Sequence, residues 1–170
     1  ARASHLIDQL LALALAEEAR TGLERVPVRL DVLAEQTVLR HLARADARGV
    51  DLGARGLDDG VVVQANEALV EGILDNLIDN ALRYGGRTIT VELAGRTLSV
   101  IDDGPGIPLE AQRNLMQRWA QGPAGQKLGQ GSGLGLSIVA RYAELLGAEL
   151  RLEAVEPTGL RVSVAFGEVA

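Results

Sequence analysis

The chain has 170 residues, of which 47% are apolar and 24% are charged, so it can bury the core of one domain with at most a short appendage. It contains no cysteine, which excludes disulfides, thiolate nucleophiles and cysteine-based metal sites. Its formal net charge of −6 argues against a general nucleic-acid binder, because such a protein presents a basic face to phosphates.

The first predicted element is a helix over residues 4–20, where leucine and alanine recur at helical spacing. Its longest apolar stretch, residues 10–16, is too short to span a bilayer and lacks the flanks of a signal peptide. A lone amphipathic helix of this length is marginal in water and needs a partner surface. The residues leave open whether that surface is its own domain or another chain.

Strands and helices follow in mixed order. We predict strands over residues 28–30, 50–54 and 61–64. A helix over residues 31–48 separates the first two strands, and Asp31 is its predicted N-cap. Asn66 opens the most strongly periodic helix of the sequence, which runs to Tyr84 before Gly85-Gly86 stops it.

The second half of the chain is dominated by two predicted hairpins, which pair residues 88–93 with 97–101 and residues 148–155 with 160–166. A helix over residues 134–146 lies between the hairpins. Because consecutive strands pair in this way, we predict an α/β sandwich with helices on one face of a sheet and not a doubly wound parallel sheet. The stretch over residues 103–133 is too long for an ordinary loop, so we interpret it as a functional lid.

The helix from Asn66 to Tyr84 carries an unusual polar stripe. Its predicted buried face consists of eight apolar residues at helical spacing: Leu69, Val70, Ile73, Leu74, Leu77, Ile78, Ala81 and Leu82. Asn76, Asn80 and Arg83 fall beside that face, and Asn80 is predicted to be at least partly buried. The amides could simply bond to backbone. Two amides one turn apart, followed by a cation, favour instead a Mg²⁺ ion that already carries phosphate.

Two glycine-rich motifs come later. In the first, Asp102 ends a strand and Gly104 and Gly106 follow, which suits either a tight turn or a flat ligand whose donor the carboxylate accepts. The second, residues 129–136, precedes a helix and leaves backbone N–H groups free for a phosphate. It lacks the Gly-Lys-Ser/Thr ending of a Walker loop and the parallel βαβ context of a dinucleotide fingerprint.

In this order, the asparagine helix and the two glycine motifs closely resemble the N, G1 and G2 boxes of the histidine-kinase ATP-binding domain. That domain belongs to a superfamily that includes DNA gyrase and its chaperone and mismatch-repair relatives. The resemblance covers about residues 28–166. It implies the Bergerat fold, a mixed sheet under three helices with ATP between the helices and a mobile lid.

The resemblance also implies roles for particular residues. Asn80 matches the Mg²⁺ ligand, and Asn76 and Arg83 match polar groups near the phosphates that take part in catalysis. Tyr84 matches the aromatic residue against adenine, and Asp102 matches the aspartate that accepts the adenine amino group. The remaining ATP contacts are expected at the glycine motifs and the lid: Gly104, Gly106, Ile107, Arg118, Gly131, Ser132, Gly133, Leu134 and Gly135.

The lid departs from the family's F box. Met116 stands where phenylalanine is usual, Trp119 replaces a second phenylalanine, and Gln121 occupies a place that is commonly arginine. A cation supplied by the lid therefore has to come from Arg118 or Lys127.

Residues 2–11 look like the end of the second dimerisation helix in relatives of the tricarboxylate sensor kinases. The implied domains are the end of the dimerisation and phosphoacceptor helix, residues 1–22, and the ATP-binding domain, residues 23–170. His5 is then not the phosphoacceptor, and His41 has the wrong neighbours for one. The implied localisation is cytoplasmic, as part of a membrane-anchored homodimer in the bacterial inner membrane.

The resemblance implies that the domain binds Mg-ATP and donates the γ-phosphate to a histidine of the dimerisation domain. Its other expected partner is a response regulator, and no nucleic acid is expected. One alternative is an ATP-hydrolysing relative of gyrase, but those members have a glutamate where Asn76 stands, and Glu71 points to another side of the helix. The other is a degenerate, non-enzymatic domain, which only the altered F box supports.

Overall fold

The computed structural model describes residues 25–58, 60–84, 86–106 and 133–167. The predicted helix over residues 4–20 and residues 107–132 of the lid lie outside these ranges. The elements in chain order are β1 (Val26–Arg29), α1 (Leu30–Ala47), β2 (Asp51–Arg55), β3 (Val62–Ala65), α2 (Glu67–Tyr84), β4 (Thr88–Ala94), β5 (Thr97–Asp102), α3 (Gly133–Leu146), β6 (Glu149–Ala154) and β7 (Leu160–Ala165).

The larger sheet has five strands in the order β2-β4-β5-β7-β6. Strands β2 and β4 run parallel and the other neighbours run antiparallel. Strands β1 and β3 form a separate antiparallel pair. Both predicted hairpins, β4–β5 and β6–β7, are confirmed. The mixed sheet with three helices also confirms the predicted α/β class.

The core is centred on α2, which lies between α1 and α3 and packs on β4 and β5. All eight residues of its predicted apolar face are buried. Side chains such as Ile89, Val91 and Val164 meet that face from the sheet. Burying a side chain of this size stabilises the fold by about 1.5–3 kcal/mol. Among the described residues, no helix has both the length and the apolar character to cross a membrane.

Glycine ends two of the helices in the same way. Gly147 has φ +69°, a left-handed conformation that glycine adopts without steric cost. Its N–H donates to the Glu144 carbonyl at 3.1 Å, and the Ala148 N–H donates to the Ala143 carbonyl at 2.8 Å. This pair of bonds is the Schellman motif. The predicted end of α3 is therefore confirmed, and Gly49 ends α1 with the same pattern.

The predicted start of α2 at Asn66 is confirmed, whereas the predicted N-cap of α1 at Asp31 is wrong. Asn66 does cap α2, because its side-chain oxygen accepts from the Leu69 N–H at 3.2 Å. Asp31 does not cap α1, which begins at Leu30. The Leu30 N–H is already satisfied by the Val61 carbonyl at 2.8 Å. Asp31 therefore lies within the first turn, where its carboxylate accepts from Arg29 at 2.6 and 2.9 Å.

The Asp31 carboxylate joins the start of α1 to the segment before β3, since it also accepts from the Val61 N–H at 3.3 Å. The Arg29 hydrogen bonds are the main cause that lowers the pKa of Asp31 from 3.8 to about 2. The hydrogen bond from the Val61 N–H acts in the same direction, whereas burial of the carboxyl opposes both. A carboxyl whose pKa is lower in the folded state stabilises the fold above its unfolded pKa. That stabilisation is lost as the pH falls from about 4 to about 2.

We therefore expect Asp31→Asn to remove part of the acid sensitivity of the fold. Between pH 5 and pH 2 the wild-type chain should lose about 1 kcal/mol more stability than the variant, a small value because solvent around the half-exposed Arg29 screens the pair. Urea unfolding across this range measures the difference. Arg29→Gln should flatten the profile in the same direction, and an Asp31→Asn profile parallel to the wild type would contradict the assignment.

Candidate functional site

The polar stripe of α2 is where the sequence predicts it, beside the buried face of the helix. Asn76 and Asn80 are both half-buried. The side-chain nitrogen of Asn76 donates to the Gly72 carbonyl at 2.7 Å. The amide nitrogen of Asn76 is therefore committed to its own helix, and its oxygen is the atom that a ligand can use.

Asn80 has a different environment. Its side-chain nitrogen is buried and finds no hydrogen-bond partner within the part of the chain that the structure describes. An unsatisfied group of this kind costs about 1–3 kcal/mol. Rotating the amide by 180° exchanges its oxygen and nitrogen, so either atom can face the unsatisfied position. Asn80 therefore has the capacity to bind a group that the described residues do not supply.

Arg83 lies one turn beyond Asn80 and is held by an ion pair. Its Nε lies 3.1 Å from an oxygen of Asp79, and Arg44 of α1 pairs with the other oxygen of the same carboxylate. The i, i+4 spacing of Asp79 and Arg83 in the sequence is a signal for such a pair, although Asp79 is not among the predicted site residues. The pair restrains Arg83, whose side chain is about half exposed.

Asp102 ends β5 at the other side of the site. Its carboxylate accepts from the Gly104 N–H at 2.9 Å. Burial raises the pKa of Asp102 above its usual value, against the opposing effect of the Gly104 hydrogen bond. A half-buried carboxyl at a strand end is suited to accept a hydrogen bond from a bound group.

The loop after Asp102 requires glycine. Gly106 has φ +75°, and a Cβ at this position would lie 3.0 Å from the Gly159 carbonyl oxygen in the β6–β7 turn. The backbone of the loop therefore lies directly against a neighbouring turn. A residue with a side chain at position 106 would therefore strain this loop.

Asp103, the residue after Asp102, connects this loop to the start of β4 and the residue before it. One of its carboxylate oxygens accepts from the N–H groups of Arg87 and Thr88, at 2.8 and 3.0 Å. The Thr88 N–H is the main cause that lowers the pKa of Asp103 below its usual value. The sequence signal was an aspartate beside a turn, a position where such side chains commonly cap backbone N–H groups.

Only some of the predicted site residues can be placed. Asn76, Asn80 and Arg83 lie on α2, and Asp102, Gly104 and Gly106 lie at the end of β5, on which α2 packs. Tyr84 is the last residue of α2, and α3 begins at Gly133 and continues through Leu134 and Gly135. The side chains of Tyr84 and Leu134 lie outside the described part, as do Ile107, Arg118, Gly131 and Ser132 entirely.

A close contact sets the distance between α2 and α3. A Cβ on Gly72 would lie 2.5 Å from a ring carbon of Tyr142, so the buried ring of Tyr142 packs directly on the α2 backbone. The Gly72 carbonyl is also the acceptor for Asn76. The packing of α3 and the orientation of Asn76 therefore depend on the same residue, which is not among the predicted site residues.

The architecture is that of histidine kinase domains. The cytoplasmic segment of histidine kinase QseC superposes with a TM-score of 0.67, with 24% identity and coverage of 98% of this chain and 89% of that one. The catalytic domain of histidine kinase ThkA gives a TM-score of 0.69, with 23% identity and coverage of 85% and 95%. At these identities the likeness establishes the fold.

Residues 65–169 match the model of the histidine kinase-, DNA gyrase B-, and HSP90-like ATPase family. The chain belongs to this family, as the resemblance in its motifs predicts. Sensor protein QseC of Salmonella typhi is 33% identical over 148 residues, which cover 86% of this chain and 32% of the relative. Sensor protein kinase PmrB of Pseudomonas aeruginosa is 36% identical, with coverage of 96% and 35%. The chain thus spans about a third of the length of these curated relatives.

Gly72→Ala should destabilise the fold despite the better helix propensity of alanine. The propensity gain is about 1 kcal/mol, whereas forcing a methyl group against a buried ring costs about 1–3 kcal/mol. We expect a net loss of up to about 2 kcal/mol in urea unfolding. Gly53→Ala is the control, because a Cβ there meets no atom within 4 Å. A Gly72→Ala variant more stable than the wild type would show that Tyr142 moves freely.

Proposed function

We propose that this chain is the ATP-binding catalytic domain of a two-component sensor histidine kinase. It binds Mg-ATP and donates the γ-phosphate to a histidine of a dimerisation domain. Membership of the ATPase family and relatives named sensor proteins support this proposal. The single observation that carries it is the buried side-chain nitrogen of Asn80, which has no partner among the described residues. Asn80 belongs to the helix that packs on β5, the strand that ends at Asp102.

Mg²⁺ fits the position of Asn80. A side-chain amide oxygen is a hard, neutral ligand, which suits a cation that already carries phosphate oxygens and water. When bound, the ion neutralises charge on the phosphates. Asn76 supplies a second amide one turn earlier, and Arg83, restrained by Asp79, adds a positive charge on the same side of the helix.

The adenine and phosphate ends would be held by different elements. Asp102 accepts a hydrogen bond from the adenine amino group, with Gly104 and Gly106 shaping that pocket and Tyr84 and Ile107 beside it. Helix α3 begins at Gly133, and a helix N-terminus preceded by glycines binds phosphate through free N–H groups and the helix dipole. Gly131, Ser132, Leu134 and Gly135 belong to this phosphate motif, and Arg118 would approach from the lid.

Phosphoryl transfer to histidine is favoured over hydrolysis. A hydrolase of this family needs a glutamate at position 76 to activate water, and this chain has asparagine. Glu71 lies five residues earlier on a continuous helix, which places it on a different side at 100° per residue. The side-chain amide of Asn76 is not basic enough to accept a proton from water. The residues of this site therefore bind and orient the phosphates without activating water.

The proposal extends to the rest of the protein. Residues 1–22 would be the end of the dimerisation and phosphoacceptor helix, and residues 23–170 the catalytic domain. The partners would be that dimerisation domain and a cognate response regulator. The domain would work in the cytoplasm as part of a membrane-anchored homodimer in the bacterial inner membrane.

Asn80→Ala should abolish most of the Mg²⁺-dependent part of ATP affinity. We expect binding roughly tenfold to a hundredfold weaker by calorimetry with Mg²⁺, and little change without it. The unliganded variant should be at least as stable as the wild type, because alanine removes an unsatisfied buried group. Asn66→Ala is the matched control: it should lose about 1 kcal/mol of stability with its helix cap and keep its Mg-ATP affinity. The opposite pattern would make Asn80 structural.

Labelling with γ-labelled ATP tests which group receives the γ-phosphate. The chain alone should acquire no label, since neither His5 nor His41 is the acceptor. Adding a fragment that carries a dimerisation helix with its acceptor histidine should produce acid-labile, base-stable label on that fragment. Labelled GTP should give little, because its ring carbonyl would face the Asp102 carboxylate unpaired. Rapid release of inorganic phosphate without protein label would favour a hydrolase instead.

A further inference from the structure

We infer that Asp103 is a positioning residue of the nucleotide site, and that its carboxylate holds the loop after β5 against the segment that follows α2. This inference rests on the proposed function. Asp103 would not touch the nucleotide. It would act through Asp102 on one side and through the end of α2 on the other.

The first support is the double hydrogen bond of Asp103. A single carboxylate oxygen accepts from two consecutive N–H groups, those of Arg87 and Thr88, at 2.8 and 3.0 Å. Hydrogen bonds to an ionised acceptor are about twice as strong as neutral ones. The Arg87 carbonyl in turn accepts from the Asp51 N–H at 2.7 Å. The segment that Asp103 holds is thereby tied to β2 as well.

The second support is the close approach of Gly86, two residues after the end of α2. A Cβ at Gly86 would lie 2.2 Å from the same carboxylate oxygen and 2.9 Å from the Asp103 carbonyl carbon. Any larger residue would push the segment away from Asp103. Only glycine lets the chain that leaves α2 come this near to the loop.

The third support comes from the opposite side of the loop, where the β6–β7 turn lies. The Thr158 hydroxyl donates to the Asp103 carbonyl at 3.3 Å. A Cβ on Gly159 would lie 2.1 Å from the Asp102 carbonyl oxygen. The backbone of Asp102 and Asp103 is therefore enclosed between this turn and the segment after α2.

These contacts hold the backbone that carries the Asp102 carboxylate between residues 86–88 and the β6–β7 turn. Asp102 would bind the adenine end of ATP, whereas Asn80 on α2 would bind Mg²⁺ at the phosphate end. One ligand then has to meet both groups, so the distance between them must be set before binding. Affinity falls when such a site has to be ordered by the ligand itself. Asp103 would reduce that requirement by holding the Asp102 loop against residues 86–88, between the end of α2 and β4, before the ligand binds.

The test compares Asp103→Ala with Asp103→Asn and with Asp31→Ala, in the 170-residue chain. Asp31 is the matched control because its carboxylate also accepts backbone and side-chain N–H groups, but at the β1–α1 junction. Calorimetry with Mg-ATP gives affinity, urea unfolding gives stability, and amide exchange reports on residues 87–88 and 104. The Mg²⁺-dependent part of the affinity is measured separately for each variant.

Asp103→Ala should bind Mg-ATP about tenfold more weakly, keep the gain in affinity that Mg²⁺ provides, and exchange faster at residues 87–88 and 104. Asp103→Asn should stay within about twofold of the wild type, because its oxygen can accept the same two bonds. Asp31→Ala should lose stability and keep its affinity. Unchanged affinity in Asp103→Ala, an equal loss in Asp31→Ala, or an equal loss in Asp103→Asn would each overturn the inference. If the wild-type chain itself does not bind Mg-ATP, both the proposed function and the inference that rests on it are wrong.

Discussion

The burial of one face of α2 sets the orientation of the polar residues at the candidate site. Leu69, Ile73 and Ile78 are fully buried, and a helix held this tightly by its apolar face cannot rotate about its axis. The polar stripe beside that face, which consists of Asn76, Asn80 and Arg83, therefore has a fixed orientation. This is why the side-chain amides of Asn76 and Asn80, which lie beside that face, are half-buried.

Two polar groups at the candidate site are unfavourable for the stability of the unliganded fold. The side-chain nitrogen of Asn80 is buried without a partner in the described part of the chain, and Asp102 is a half-buried carboxyl whose pKa is raised by burial. Both groups are less favourable in the unliganded fold than apolar residues would be. Binding sites commonly hold such groups, because a ligand gains the interaction that the protein forgoes.

Close backbone contacts set the spacing of the elements around the candidate site. Gly72 admits the ring of Tyr142, which sets the distance between α2 and α3. Gly86 admits the carboxylate of Asp103, which ties the end of α2 to the loop after β5. Each glycine lies where a Cβ would collide with a neighbouring element, so the spacing of three elements around the candidate site depends on the absence of two methyl groups.

The opposite face of the five-stranded sheet has a different character. Ser99 and Ser163 share a buried hydrogen bond of 2.8 Å, and Glu92 pairs with Arg161 and Arg55. The Arg161 hydrogen bond is the main cause that lowers the pKa of Glu92 below its usual value. Charged side chains thus cover this face themselves, whereas apolar residues on the other face are covered by helices. The fold is therefore two layers, and the candidate site lies in the helical one.

The family and the order and type of the described elements, to within one or two residues at each end, could be predicted from the sequence. Local patterns carry this information: the 3.6-residue period of α2, the alternation in the hairpin strands, Gly147 at a helix end and the three motifs in order. The residue that satisfies the first N–H of α1 could not be predicted, because the Val61 carbonyl, which takes the place of an Asp31 cap, is 31 residues away from Leu30 along the chain. The parallel pairing of β2 with β4 and the roles of Gly72, Gly86 and Asp103 also became visible only in the fold. Those depend on atoms from distant segments meeting at 2–3 Å, and no pattern in a local window records which segments meet.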